Sequence, residues 1–277
     1  MSPLSLIVLA SASGSPGVTT TSLGLALTWH RPCLLVEADP TGGSAVAAGY
    51  LRGSIAPPEA MIELALAQQD GRNLLETLAQ VSLDLPGSGM RFVPGTRGHE
   101  QARSLVGLWE PLAAALRSLE DTGQDVVVDA GRLGLFGSPE PLIEAADLAL
   151  LVIRTDLVAL SAARSWAETL RERFDRAGAG SSLGVLLVGE GEPFGAREVS
   201  RVLSLPVVAT VAWDPEHAAV LSHGSQPPRP GSLQRLAGRS GWEDSPLLRS
   251  IRAAGSTITG TIRATAARLE ATGGGRR

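Results

Sequence analysis

Ala10-Ser11-Ala12-Ser13-Gly14-Ser15-Pro16-Gly17-Val18-Thr19-Thr20-Thr21 is the stretch whose reading decides the fold. The apolar run Leu4-Ser5-Leu6-Ile7-Val8-Leu9-Ala10 leads into it, and a helical pattern with Leu23, Leu25, Ala26 and Leu27 leads out. A buried strand, a loop of small residues and a hydroxyl-rich helix start form a phosphate cradle in a parallel α/β protein. Backbone N–H groups of the loop and the positive end of the helix both point at the anion. The full phosphate-loop pattern is G-x-x-x-x-G-K-[ST]. Here Ala12 stands for the first Gly and Val18 for the Lys, so that only Gly17 and Thr19 match. Pro16 stiffens the loop and removes one N–H donor.

Composition supports the same architecture. Of 277 residues, 44% are hydrophobic and only 4% aromatic, so the core is built from Ala, Val and Leu, which suits parallel strands covered by helices. The single cysteine, Cys33, excludes a disulfide framework and fits a reducing compartment. All 24 basic residues are Arg, so no site here uses a lysine. The first apolar run has no basic residues before it and is short, which reads as a strand, not a signal peptide. No apolar run is long enough to span a membrane. The net charge of −4 is uneven: nine arginines against three acidic residues from Arg229 onward give +6, leaving −10 for the rest. Such a basic segment is either a solvated helix or a surface for nucleic acid or anionic lipid.

Along the chain, a helix is predicted from Thr19 to Trp29, ended by Arg31-Pro32. Cys33-Leu34-Leu35-Val36-Glu37 is a second buried strand, followed by the loop Ala38-Asp39-Pro40-Thr41-Gly42-Gly43. Carboxylates at that edge of a parallel sheet face the ligand crevice. Pro58 to Gln69 and Asn73 to Val81 are weakly patterned helices, and Arg91 to Gly95 is a short strand with a turn. Glu100 to Leu119 reads as one amphipathic helix whose Leu105, Leu108, Leu112, Leu116 and Leu119 form a core-packing stripe. Asp125-Val126-Val127-Val128-Asp129-Ala130-Gly131 is a Walker-B pattern, with Asp129 beside a Mg²⁺ or its water and Gly131 freeing a switch loop. Strands at 149–153, 183–188 and 207–212 alternate with helices ending near Arg173 and running from Ala196 to Leu203. This rhythm implies a mainly parallel sheet with right-handed crossovers. The organisation is thus a domain over residues 1–225, a linker-like segment over 226–245, a basic helix over 246–272 with Ile251, Ile258, Ile262 and Leu269 on one side, and a disordered tail over 273–277.

Together these pieces resemble the MinD/ParA family of deviant Walker ATPases over about residues 4–225. The family motif K-G-G-x-G-K-T-T falls on Ser13-Gly14-Ser15-Pro16-Gly17-Val18-Thr19-Thr20, which keeps the small residues and the threonines but neither lysine. Leu34 to Pro40 is similar to the switch I strand, with Asp39 on the aspartate that holds or activates the attacking water and Glu37 in place of the first Asp. Asp125 to Gly131 is similar to the Walker-B strand and switch II. Leu205 to Asp214 is similar to the segment that packs near the adenine, which puts Asp214 at the base, while the asparagine that reads the base in the family falls near Gly189-Glu190. The resemblance implies a P-loop fold, ATP with Mg²⁺ held through Thr19 and, behind it, Asp129, and a homodimer. It implies a cytoplasmic protein, peripheral to membrane or nucleoid, serving a cell-pole, septum, partition or pilus machinery, the CpaE-like pilus branch included.

Loss of the loop lysine removes a charge-assisted contact of about 1.5–3 kcal/mol, or roughly one to two decades of affinity. Loss of a cationic finger costs about 10³–10⁵ in rate, so little or no hydrolysis is expected. Arg132, in the switch II segment, and Arg154, at a strand end, are candidates to supply the missing charge, which makes an active ATPase the alternative. A further alternative is a protein-binding module that no longer holds nucleotide. His30, His99, His217 and His223 show no metal-ligand spacing, and no G-x-S-x-G elbow is present.

Overall fold

A computed structural model describes residues 5–85, 88–229 and 241–273. Eight strands form one sheet: β1 Leu6–Ser11, β2 Cys33–Glu37, β3 Leu83–Leu85, β4 Met90–Val93, β5 Asp125–Arg132, β6 Leu148–Arg154, β7 Leu183–Val188 and β8 Val207–Val211. Their order is β3-β4-β2-β5-β1-β6-β7-β8, parallel throughout except for β3 on β4. Every residue of β1, β2 and β7 is buried. Strands covered on both faces need no polar alternation, which is why they read as unbroken apolar runs. β1 lies between β5 and β6, where the strand order reverses, so the loop after β1 opens into the crevice of the sheet.

Nine helices are described: α1 Val18–Thr28, α2 Ala60–Gln69, α3 Leu74–Val81, α4 Trp109–Arg117, α5 Glu140–Glu144, α6 Leu157–Arg176, α7 Ala196–Leu203, α8 Pro215–His223 and α9 Pro246–Gly273, with a short π-helical turn at Val46–Tyr50. They enclose two apolar cores. One holds Leu64, Leu78, Trp109, Leu142, Leu170 and Val199 from α2 to α7. The other holds Leu23 and Leu25 of α1, Leu221 of α8, and Leu247, Ile251, Ile258 and Ile262 of α9. α9 follows the segment that looked like a linker, yet it closes this second face against α1 and β8. Gly24 permits the approach: a Cβ there would stand 2.5 Å from Ile251 Cδ1. Trp29 and Arg31, beyond α1, are tied to the buried Asp125 carboxylate at 2.8 and 3.6 Å, locking the far end of α1 to the start of β5.

Most predicted elements appear within a few residues of their expected bounds. The predicted helix over Glu100 to Leu119 does not form as one piece. It is a 3₁₀ segment, His99–Leu105, then α4, then another 3₁₀ turn, Ser118–Thr122. Gly107 and Pro111 explain the break, because Pro111 lacks an N–H and its ring clashes with the carbonyl four residues back. The leucine stripe still packs inward, with Leu105, Leu108, Leu112 and Leu116 buried. β3, α5 and α8 have no counterpart in the sequence reading. Leu4, residues 230–240 of the linker-like segment and 274–277 of the tail lie outside the described residues, as does the side chain of Leu269. Among the described residues no helix is long and apolar enough to cross a membrane.

Candidate functional site: the cleft at the end of β1

The loop after β1 is shaped by two glycines in the left-handed region, Gly14 at φ 64° and Gly17 at φ 98°. Gly17 is the N-cap of α1, and no side chain caps that helix. The first-turn N–H groups and the helix dipole are therefore directed to the loop, where an anion is the fitting partner. Thr19, in the first turn, lies beside the carboxylate of Asp129 in β5 and favours its charged form. This contact joins the phosphate-loop threonine to the Walker-B aspartate, the pair through which a P-loop protein holds Mg²⁺. Such an ion takes few protein oxygens and several from phosphate and water, so the Thr19–Asp129 pair fits it. Among the described residues no group of three or more His, Cys, Asp or Glu side chains is arranged to hold a metal alone.

Three carboxylates converge here. Glu37 and Asp129 are register partners on β2 and β5. Burial pushes Asp129 up to about 7, helped by the nearby charges of Glu37 and Asp39, while the donors Thr19 and Gly131 oppose the shift. Glu37 is also raised by burial. Its Oε2 accepts from Ser44 Oγ at 2.5 Å and Gly95 N at 3.2 Å, and its Oε1 accepts from Val46 N at 3.0 Å. Glu37 thus braces the loops after β2 and β4. Asp39 Oδ1 accepts from Thr41 N at 2.8 Å, and its carboxyl rests against Gly131. A Cβ on Gly131 would lie 2.2 Å from Asp39 Cγ.

The raised Asp129 has a consequence for stability. Its ordinary value is 3.8 and its folded value about 7, so the folded state holds this proton more tightly than the unfolded chain. The stabilisation is complete below the ordinary value and is lost as pH rises toward 7. Asp129→Asn lacks this dependence. Its stability relative to the parent protein is expected to improve between pH 4 and 7, read by denaturant unfolding at several pH values. A constant difference would show that Asp129 does not titrate in this way.

A cleft of about 620 Å³ opens in front of these groups. Gly14, Ser15, Gly17, Val18, Thr19 and Thr20 line one end, with Asp39, Gly131 and Arg132 beside them. Ser13 is half-buried outside the lining. Val18, in the lysine position, contributes its side chain to the second core. Ala212, Trp213 and Asp214 line the cleft after β8, three strands from β1 in the sheet order, and His223, at the other end of α8 against the turn after β2, completes the lining. Asp214 caps α8 through His217 N at 3.3 Å, contacts His217 Nδ1 at 2.9 Å and accepts from Leu247 N at 3.4 Å, joining α8 to α9. Arg132 is exposed on the cleft wall. Arg154 lies with its guanidinium carbon 3.5 Å from the centre of the Trp213 ring. Trp213 and His223 were not singled out for the site in the sequence. For Trp213 the available signal was its place beside Asp214; for His223, at the end of α8, there was none.

An eight-stranded, mostly parallel sheet with a phosphate-type loop at its switch point defines a P-loop NTPase fold of the MinD/ParA type. Solved structures with this fold include the septum site-determining protein MinD from Pyrococcus horikoshii complexed with Mg-ADP, at 15% identity, a TM-score of 0.64, and coverage of 91% of this chain and 94% of that one. A ParA family ATPase from Chlorobium tepidum matches at 13% identity and a TM-score of 0.65, over 91% and 98% of the two chains. A chain of the MinC:MinD cell division protein complex from Aquifex aeolicus matches at 16% and 0.64, over 92% and 95%. No family model matches the sequence. No curated protein matches it either.

Proposed function

We propose that this chain is a MinD/ParA-family positioning protein that binds ATP with Mg²⁺ in the cleft and hydrolyses it slowly or not at all. The observation that carries the reading is the approach of Thr19 to the Asp129 carboxylate in front of an α1 N-terminus that no side chain caps. Thr19 would hold the ion, Asp129 would stand behind it, and the N–H groups of Gly14, Ser15 and Gly17 to Thr20 would surround the phosphates. Bound Mg²⁺ would supply charge neutralisation at the transferring phosphoryl group. The residues at positions 13 and 18 are Ser and Val, which removes both lysine charges used for that transfer and argues for slow turnover. The Pyrococcus horikoshii relative with Mg-ADP adds support for a nucleotide of this kind.

A homodimer follows from the same edge of the sheet. Phe136, Leu157 and Val158 are 69%, 69% and 79% exposed on the segments that follow β5 and β6, on either side of the strand that feeds the phosphate loop. Exposed apolar side chains in that setting mark an interface, and a second copy of the chain is the partner proposed. Further partners would belong to a septum, partition, cell-pole or pilus machinery. DNA or anionic membrane would be met through the exposed arginines of α9, with the protein cytoplasmic and peripheral to its surface.

Calorimetric titration of Mg-ATP and Mg-ADP tests the reading, with Thr19→Ala as control and phosphate release assayed in parallel. Binding that Thr19→Ala abolishes, with little release, is expected. Turnover that Arg132→Ala removes would favour the active-ATPase reading instead, which the place of Arg132 on the cleft wall supports. No binding at millimolar nucleotide would leave a protein-binding module.

A further inference from the structure

We propose that the indole of Trp213, fixed from behind by Arg154, is the stacking platform for the purine base of the bound nucleotide. The inference rests on the nucleotide reading above. It adds a recognition device, formed by a pair of side chains, at a place where the expected base-reading asparagine is missing.

Trp213 follows β8, lines the cleft and remains 45% exposed. Its ring meets Arg154 from the end of β6, across β7 in the sheet order, and two features pack beneath it. Gly189, just after β7, has φ 78°, and a Cβ on it would lie 3.2 Å from Trp213 Cβ. Thr155, just after β6, donates to the carbonyls of Gly189 at 3.0 Å and Glu192 at 2.5 Å, so the backbone under the indole is tied down. Arg154 covers one side of the ring at 3.5 Å, a distance at which a guanidinium is attracted to the π-cloud. An exposed aromatic ring held in one orientation loses little further freedom when a second flat ring joins it.

The geometry of the cleft selects the ligand. Phosphate is directed to Gly17–Thr19 after β1, and Trp213, after β8, lines the same cavity three strands away in the sheet order. A ligand with phosphates at one terminus and a flat aromatic ring at the other spans both. Stacking is indifferent to the pattern of donors and acceptors on the ring edge. Mg-ATP and Mg-GTP are therefore expected to bind with similar affinity, in contrast to recognition by a side-chain amide.

The test uses the full chain with Mg-ATP, Mg-GTP and Mg-tripolyphosphate as ligands, read by calorimetry and tryptophan fluorescence. Trp213→Ala is expected to weaken both nucleotides about tenfold to a hundredfold and to leave tripolyphosphate unchanged. Trp213→Phe should retain most of the affinity while losing the nucleotide-induced fluorescence change. Arg154→Gln should weaken nucleotide but not tripolyphosphate. If nucleotide and tripolyphosphate bind and Trp213→Ala leaves nucleotide affinity unchanged or tighter, the platform is wrong and the phosphate site stands. If neither ligand binds the parent protein, the nucleotide reading falls and the platform with it.

Discussion

Removal of residues 246–277 is expected to leave a chain with no cooperative unfolding transition, measured by thermal and denaturant melts. α9 looks detachable in sequence because it follows a Pro- and Gly-rich segment. In the fold it places Leu247, Leu248, Ile251, Ala254, Ile258 and Ile262 in the second core. Ile251 and Ile258 are wholly buried, at 0% exposure each. Truncating one such side chain to alanine costs about 2–5 kcal/mol, against a total stability of about 5–15 kcal/mol for a domain. Losing the five larger ones exceeds the reserve. Ile258→Ala alone should lower stability by about 2–5 kcal/mol while keeping a single transition. A deletion variant that still melts cooperatively would mean the second face of the sheet is covered in another way. The same packing governs how membrane or DNA association must be tested: a chain lacking α9 reports on folding, not on its arginines. Arg249→Gln with Arg263→Gln, both at exposed positions, should abolish binding to anionic vesicles or DNA at low salt with little change in stability.

Gly131→Ala is expected to cost about 2–3 kcal/mol and to displace Asp39 from the cleft. Its φ of 63° lies in the left-handed region, where a side chain costs roughly 1–2 kcal/mol. The added Cβ would also collide with the Asp39 carboxyl, 2.2 Å from Cγ and 2.4 Å from Oδ2. To escape, Asp39 must give up its bond from Thr41 N, worth about 1 kcal/mol. Gly89→Ala is the matched control. Gly89 has φ 64° and nothing within 4 Å of the added Cβ, so it carries the backbone cost alone. Equal destabilisation of the two variants would show that the Asp39–Gly131 contact contributes nothing.

The fold was legible because its signals are local. Apolar runs without polar alternation, most of them followed by small residues or a carboxylate, point to a parallel sheet covered on both faces. Gly17 and Thr19, which line the cleft, and Asp129 over a hundred residues later were marked in the sequence as a candidate site. The missed elements carry weaker signals. β3 is three residues long and α5 is five, too short for a period to register, and α8 buries only Val220 and Leu221, too few to mark a face. The leucine stripe from Leu105 to Leu119 gave the right burial but the wrong continuity, because periodicity records which side chains face inward and is insensitive to a backbone break at Pro111.

From the sequence by itself came the strand-and-loop framework, the absence of lysine from every position, and the carboxylates at the ends of β2 and β5. Tertiary structure alone decided what each of those groups touches. Glu37 became a brace and not a ligand-facing acid, because loops after two different strands deliver its three donors. Arg154 was set against Trp213, because β7, lying between β6 and β8, is followed by Gly189, whose missing side chain leaves room for Trp213. α9 joined the core, because Gly24 lets Ile251 approach α1. Each of these contacts joins residues far apart in the chain, and a sequence pattern carries no distance between such residues until the sheet order brings them together.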